Sequence, residues 1–196
     1  MRASKTYHHG NLKSELVQAA LLILDKDGVE GVGIRQVARK VGVAHSAPAN
    51  HFKNKQALIT SVVEAIFQHL LRTIESRFQQ GPTLRESVHM FCQAIFEFGL
   101  NYPYRYRLMW RRDCVDNSDV TLQTSMEAVY QKLISILDEQ AKQKRVDVES
   151  QAIAIWSIIH GYVSLRLDGN LQQGQDQVTE QGRETAIIDV LLDGLI

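Results

Sequence analysis

His45, Ser46 and Asn50 form a short cluster of side chains that hydrogen-bond at flat polar edges, bracketed by cations at Arg35, Arg39, Lys40, Lys53 and Lys55. An Asn amide pairs bidentately with adenine, a Ser hydroxyl meets several base edges, and Lys or Arg binds phosphate oxygens. This chemistry reads a duplex; it does not make or break bonds. The candidate contact set is Arg35, Ala44, His45, Ser46, Ala47, Asn50, His51, Lys53 and Lys55.

Two short helices joined at Gly42 would position that set. Ile34, Val37, Val41 and Val43 form an apolar seam, which leaves Arg35, Arg39, Lys40, His45, Ser46 and Asn50 outside. Gly42 can take the positive φ of a sharp turn, and the small Ala38 lets the second helix pass close by. Ser46 and Asn50, four residues apart, share one face of a helix. Pro48 is tolerated because it falls in the first turn, where few amide bonds are lost. The pattern predicts a helix-turn-helix over about residues 34–53.

Charge supports this reading once the chain is divided. The 196 residues are neutral overall, yet residues 1–60 carry nine Lys and Arg against four Asp and Glu. The remainder carries thirteen against eighteen. A basic head on an acidic body suits a DNA module joined to something that avoids DNA. With 44% apolar and 22% charged residues and only three prolines, the chain is globular and all-α. No apolar run approaches the ~20 residues of a membrane span, and residues 1–10 lack a signal core. The expected location is therefore the cytoplasm, with no membrane partner.

Other chemistry finds little support. There is no G-x-S-x-G, no phosphate loop and no close carboxylate pair on one helix face. His160 precedes Asp168 by eight residues, a spacing that recurs by chance. The expectation is no catalysis, no cofactor and no metal. His8-His9 lacks partners at ligand spacing, so phosphate contact or solvent exposure is the simpler reading. Cys92 and Cys114 show no ligand spacing; two free thiols in a reducing compartment, or a redox sensor, are the alternatives.

In chain order, a polar arm over residues 1–10 precedes a helix capped by Asn11 and ended by Gly28. After the helix-turn-helix, Asn54 caps a connecting helix with Leu58, Val62, Ile66, Leu70, Ile74 and Phe78 at every fourth position. Lys55 at its start suits a backbone phosphate, and Gly81-Pro82 ends it. Thr83-Leu84-Arg85-Glu86 is a capping box for the first body helix. A short helix over about 104–111, one from Leu122 to about Lys144, and an apolar one capped by Asp147 follow. The last begins at about Thr179, after a Gly/Gln/Asn linker. Three parts result: an arm and helix-turn-helix domain (1–56), a connecting helix (57–80) and an effector and dimerisation domain (81–196). They total about nine helices, with the last two suggesting subunit pairing.

These residues carry a resemblance. Residues 11–58 resemble the N-terminal domain of the tetracycline-repressor (TetR) family. The matching pieces are Ala19-Ala20, Gly28, the Gly31–Gly33 turn, Arg35-Gln36-Val37-Ala38, Gly42-Val43, Asn50-His51-Phe52 and Lys55-Gln56-Ala57-Leu58. Asn101-Tyr102-Pro103 through Met109, with Trp156–Gly161, look like the WHG subgroup of TetR effector domains. The resemblance implies a homodimer, paired through the last two helices, that holds two heads about one DNA turn apart on a palindromic double-stranded operator. It further implies a repressor whose DNA affinity is coupled to a small-molecule effector. Two positions depart from the family: Ala49 stands where a phosphate-contacting Tyr is usual, and Gly33 where a Ser or Thr cap is common.

Phe91, Phe98, Trp110, Met126, Tyr130, Trp156, His160 and Tyr162 lie at core-facing spacing on the body helices. Singly each suits a plain core; together, aromatic rings with a few polar tips suit a pocket for a hydrophobic or aromatic effector. Arg105, Arg107, Arg111 and Arg112 form either a solvated face or a mouth for an anion. The competing reading is a helical ligand-binding or interaction protein that does not read DNA, to which Pro48 and Ala49 point.

Overall fold

The computed structural model describes residues 12–78, 82–144 and 147–195. Among them are α1 (Leu12–Gly31), α2 (Ile34–Val41), a 3-10 turn (Ala47–Asn50), α3 (Lys55–Glu75) and α4 (Leu84–Asn101). There follow α5 (Pro103–Met109), α6 (Val120–Lys144), α7 (Val148–Leu167) and α8 (Arg183–Leu195). The fold is all-α as expected, with eight α-helices and one 3-10 turn among the described residues. The arm, His8-His9, the Asn11 cap and Gly81 lie outside them.

The helix ends follow local chemistry. Asn54 Oδ1 accepts the Ala57 N–H at 2.8 Å to cap α3. The Thr83 hydroxyl accepts the Glu86 N–H at 3.3 Å while Glu86 Oε2 accepts the Thr83 N–H at 2.7 Å, so the capping box over α4 is complete. Asp147 caps α7 through the Ser150 N–H at 3.1 Å. Gly28, with φ +71°, breaks α1 as expected, but one further turn follows it to Gly31. The last helix starts at Arg183 rather than near Thr179. Asp176 Oδ1 accepts the Val178 and Thr179 amides at 3.0 and 2.9 Å, and holds those residues in a turn instead.

α3 is the central post. Leu58, Val62, Ile66, Leu70 and Ile74 are buried along it, and α1, α4, α5 and α6 pack around it. By length and composition α3 alone among the described helices could cross a membrane. Its burial among four neighbours is that of a core helix.

Candidate functional site

α2 and the 3-10 turn form a compact unit, the head. Val37 and Ala38 are buried, and Gly42 takes φ +82°. The Gly42 N–H donates to the carbonyls of Ala38 (2.9 Å) and Arg39 (3.2 Å), and the Val43 N–H donates to Ala38 (3.0 Å). These bonds close α2 with a Schellman motif. Pro48 and Phe52 are buried and anchor the next segment. The Pro48 carbonyl accepts both the His51 and Phe52 amides at 2.9 Å.

Around those anchors Arg35, Ala44, His45, Ser46, Asn50, His51, Lys53 and Lys55 are exposed, and Ala47 is half-buried. The candidate contact residues of 44–55 therefore lie along one segment, exposed except at Ala47, with Pro48 and Phe52 turned inward. The expected α-helical register does not hold there. With three residues per turn, Ser46 and Asn50 point about a third of a turn apart instead of sharing a face. The turn stays short because Asn54, at φ −163°, is already extended to cap α3.

Three contacts tie α1 and α3 to α5 and the loop after it, and sequence reasoning missed all of them. Gln56 Nε2 donates to the Val115 carbonyl at 3.0 Å. The Asp116 N–H donates to the Thr60 hydroxyl at 2.9 Å, and that hydroxyl donates to the Gln56 carbonyl. Arg105 of α5 donates to both Asp25 oxygens on α1 and lies 3.3 Å from His69 Nδ1 on α3. Its guanidinium also stacks 4.6 Å from the Tyr102 ring centroid. Burial, then the charges of Arg105 and Arg72, push the His69 pKa below its ordinary value. A neutral Nδ1 can then accept from Arg105. Partners 36 to 80 residues apart leave no local signal in a sequence.

In the body, an apolar cavity of about 1060 Å³ opens between α6 and α7. Of the candidate pocket residues, Trp110, Met126, Tyr130, Trp156 and His160 line it, joined by Phe67, Ile153 and Arg112. Trp110 and His160 stand edge to face at 4.6 Å, and the Tyr106 hydroxyl lies 3.1 Å from His160 Nδ1. Burial lowers the His160 pKa, which favours the neutral imidazole. The Trp156 Nε1–H is buried with no acceptor among the described residues.

Three expected pocket residues lie elsewhere. Phe91 is fully buried behind Trp156, with ring centroids 5.8 Å apart. Phe98 packs against His69 and Tyr102 in the core. Tyr162 faces α8: its hydroxyl donates to Glu184 Oε1 at 2.8 Å and accepts from Arg166 at 2.9 Å. Helical spacing alone cannot tell which of two packed neighbours a core-facing ring will meet. The arginines are mostly engaged: Arg105 with Asp25, Arg107 with Asp168 and Arg111 with Asp113.

Neither cysteine is an activated thiolate. Burial pushes the Cys92 pKa up to about 12 and also raises that of the half-buried Cys114. Among the described residues, no group of three or more His, Cys, Asp or Glu side chains is placed to hold a metal.

The family models agree with this anatomy. Residues 16–62 match the bacterial regulatory proteins of the tetR family, and residues 88–187 match the tetracyclin repressor-like C-terminal domain. The chain belongs to the tetracycline-repressor (TetR) family. It is 39% identical over 51 residues to the class A tetracycline repressor from Escherichia coli transposon 1721, which covers 26% of this chain and 24% of that one. It is 23% identical over 148 residues to the nicotine-responsive transcriptional repressor HdnoR of Paenarthrobacter nicotinovorans, covering 72% and 75% of the two chains. A solved structure of a protein of unknown function from Rhodococcus sp. RHA1 superposes with a TM-score of 0.78 at 24% identity. That match spans 97% of this chain and 96% of the other. The chain is thus a DNA-binding transcriptional regulator of the TetR family, and members of that family are regulators, not enzymes.

Proposed function

We propose that the protein is a repressor that binds a palindromic operator as a homodimer and releases or recruits DNA when a hydrophobic or aromatic effector enters the α6–α7 cavity. The observation that carries this reading is the row of exposed polar and basic side chains along 44–55, anchored by buried Pro48 and Phe52 beside α1 and α3, which are hydrogen-bonded to the rest of the fold. In this reading Asn50, Ser46 and His45 reach bases. Arg35, His51, Lys53 and Lys55 reach phosphate, and the backbone at Ala44 and Ala47 approaches the groove.

The dimer face is assigned to α7 and α8. Ile158 and Leu165, seven residues apart on one face of α7, are exposed, and Val190 of α8 is 75% exposed. Gly161 between them has open space above it. A second copy would bury this stripe. HdnoR, by its name a nicotine-responsive repressor, is a precedent for a small organic effector. The cytoplasm is the compartment this function requires.

A gel shift on the DNA upstream of the protein's own gene tests the reading. Salt-dependent binding that is weakened in Arg35→Ala, Asn50→Ala and Lys55→Ala is the expected result. Ile158→Glu/Leu165→Glu should sediment as a monomer and lose the shift. Binding unchanged by all of these variants would sink the proposal.

A further inference from the structure

Two side chains that line the α6–α7 cavity, Trp110 and His160, also line a second space of about 530 Å³. This groove lies between α5 and α7 on one side and the end of α1 on the other, with Asp27, Gly28 and Glu30 along its α1 edge. Cavity and groove are therefore neighbouring chambers that share a two-residue wall. Trp110 is 40% exposed and packs edge to face against Tyr106, Trp156 and His160, so one face of the wall is open to solvent.

The groove's charge is one-sided once ion pairs are set aside. Arg107 binds Asp168 at 2.8 Å and the Leu167 carbonyl at 2.7 Å. Arg111 donates to both Asp113 oxygens at 2.8 Å. Asp27 and Glu30 are exposed and make no close ion pair among the described residues, although Glu30 lies within electrostatic reach of Arg111. The exposed rings of Tyr104 and Trp110 line the same groove, and aromatic faces attract cations. Across the shared wall, the cavity is apolar, and its two charged lining residues, Arg112 and Glu127, are of opposite sign.

We infer that the two chambers form one bipartite site for an amphipathic organic cation. Its apolar or aromatic body lies between α6 and α7, and its amine or quaternary ammonium head lies past Trp110, against Asp27 and Glu30. An anionic head would instead meet a lining in which carboxylates outnumber cations, Asp27, Glu30 and Asp168 against Arg107 and Arg111, the latter already paired with Asp113. Neutral His160, between the chambers, adds no opposing charge. Because Asp27 and Glu30 flank Gly28 on α1, the head group would touch the helix that carries the reading head. This inference names the effector's chemical class and rests on the cavity's being the effector site.

Isothermal titration with three matched probes, 4-phenylbutylamine, 4-phenylbutanol and 4-phenylbutyrate, separates the two claims. The amine should bind about tenfold more tightly than the alcohol, and the acid most weakly. Asp27→Asn/Glu30→Gln, both surface changes, should bring the amine to the alcohol's affinity and leave the alcohol unchanged. Ala128→Trp, which fills the cavity, should abolish binding of all three; Thr124→Trp replaces it if circular dichroism shows a folding defect. Equal affinities, or an amine preference that survives the double variant, would overturn the cation assignment while cavity binding stands. No probe binding, or an alcohol that still binds the filled cavity, would overturn both.

Discussion

The Arg105 guanidinium grips the Asp25 carboxylate in a two-pronged pair, Nε to Oδ1 at 2.7 Å and Nη2 to Oδ2 at 2.6 Å, and so joins α5 to α1. The Arg105 side chain is only 13% exposed, which removes much of the solvent screening that makes surface pairs weak. Arg105→Ala should lower the free energy of unfolding in urea by about 1–3 kcal/mol. Arg105→Lys should recover less than half of that, because an ammonium cannot fork across both oxygens. Full recovery by lysine would show that charge alone matters.

The two depressed histidines set a pH dependence. His69 and His160 both have pKa values held below 6.5, chiefly by burial. The unfolded chain then takes up protons first as pH falls, so the stability present above about pH 6.5 is lost below it. Unfolding free energy should be lower at pH 5.5 than at pH 7.5, and His69→Gln/His160→Gln should have the shallower slope. Identical slopes would place the dependence on other groups.

Gly28 is fixed by its backbone and by its neighbour. At φ +71° it holds a conformation that L side chains rarely adopt, and an added Cβ would stand 3.3 Å from Tyr104 Cε1. Gly28→Ala should destabilise the protein by about 1 kcal/mol or more. It should also displace Tyr104, measurable as a changed tyrosine resonance. An unchanged melting temperature would contradict the strain.

On DNA, the head's residues should separate by what they read. Lys55→Ala should weaken all duplexes alike and reduce the log–log salt slope by about 1. Asn50→Ala should cost about 1–3 kcal/mol on the operator alone. The reverse pattern would exchange their roles.

The two tryptophans provide an internal check on the cavity wall. Trp110 is exposed, whereas the Trp156 indole nitrogen is buried. Trp156→Phe should leave an emission readily quenched by iodide, and Trp110→Phe one that is bluer and more protected. Equal quenching would mean that the wall is open.

Much of this anatomy was legible in the residues, and the exceptions share a cause. Asn54, Thr83 with Glu86, and Asp147 act on amides a few positions away, so their caps can be read directly from spacing. Gly42 is legible for the same reason. The pairings Arg105–Asp25, Tyr106–His160 and Tyr162–Glu184 join separate helices, and only tertiary packing selects among many equivalent partners. That is why Phe91, Phe98 and Tyr162 joined the expected pocket although they serve the core. Ser46 and Asn50 were misphased for a different reason: a four-residue 3-10 turn has too few residues to reveal its period.

In the proposed dimer, that brief turn also limits how much information one head can extract. Four residues rising about 2 Å each span about 8 Å, some two to three base-pair steps of about 3.4 Å. At two bits per fully specified base pair, a pair of such turns carries on the order of ten bits. Singling out one address among roughly 10⁶ or more competing positions takes about twice that. The shortfall must be carried by contacts outside the turn and by the bendability and groove width of the operator, so base pairs that no side chain touches should still be selective.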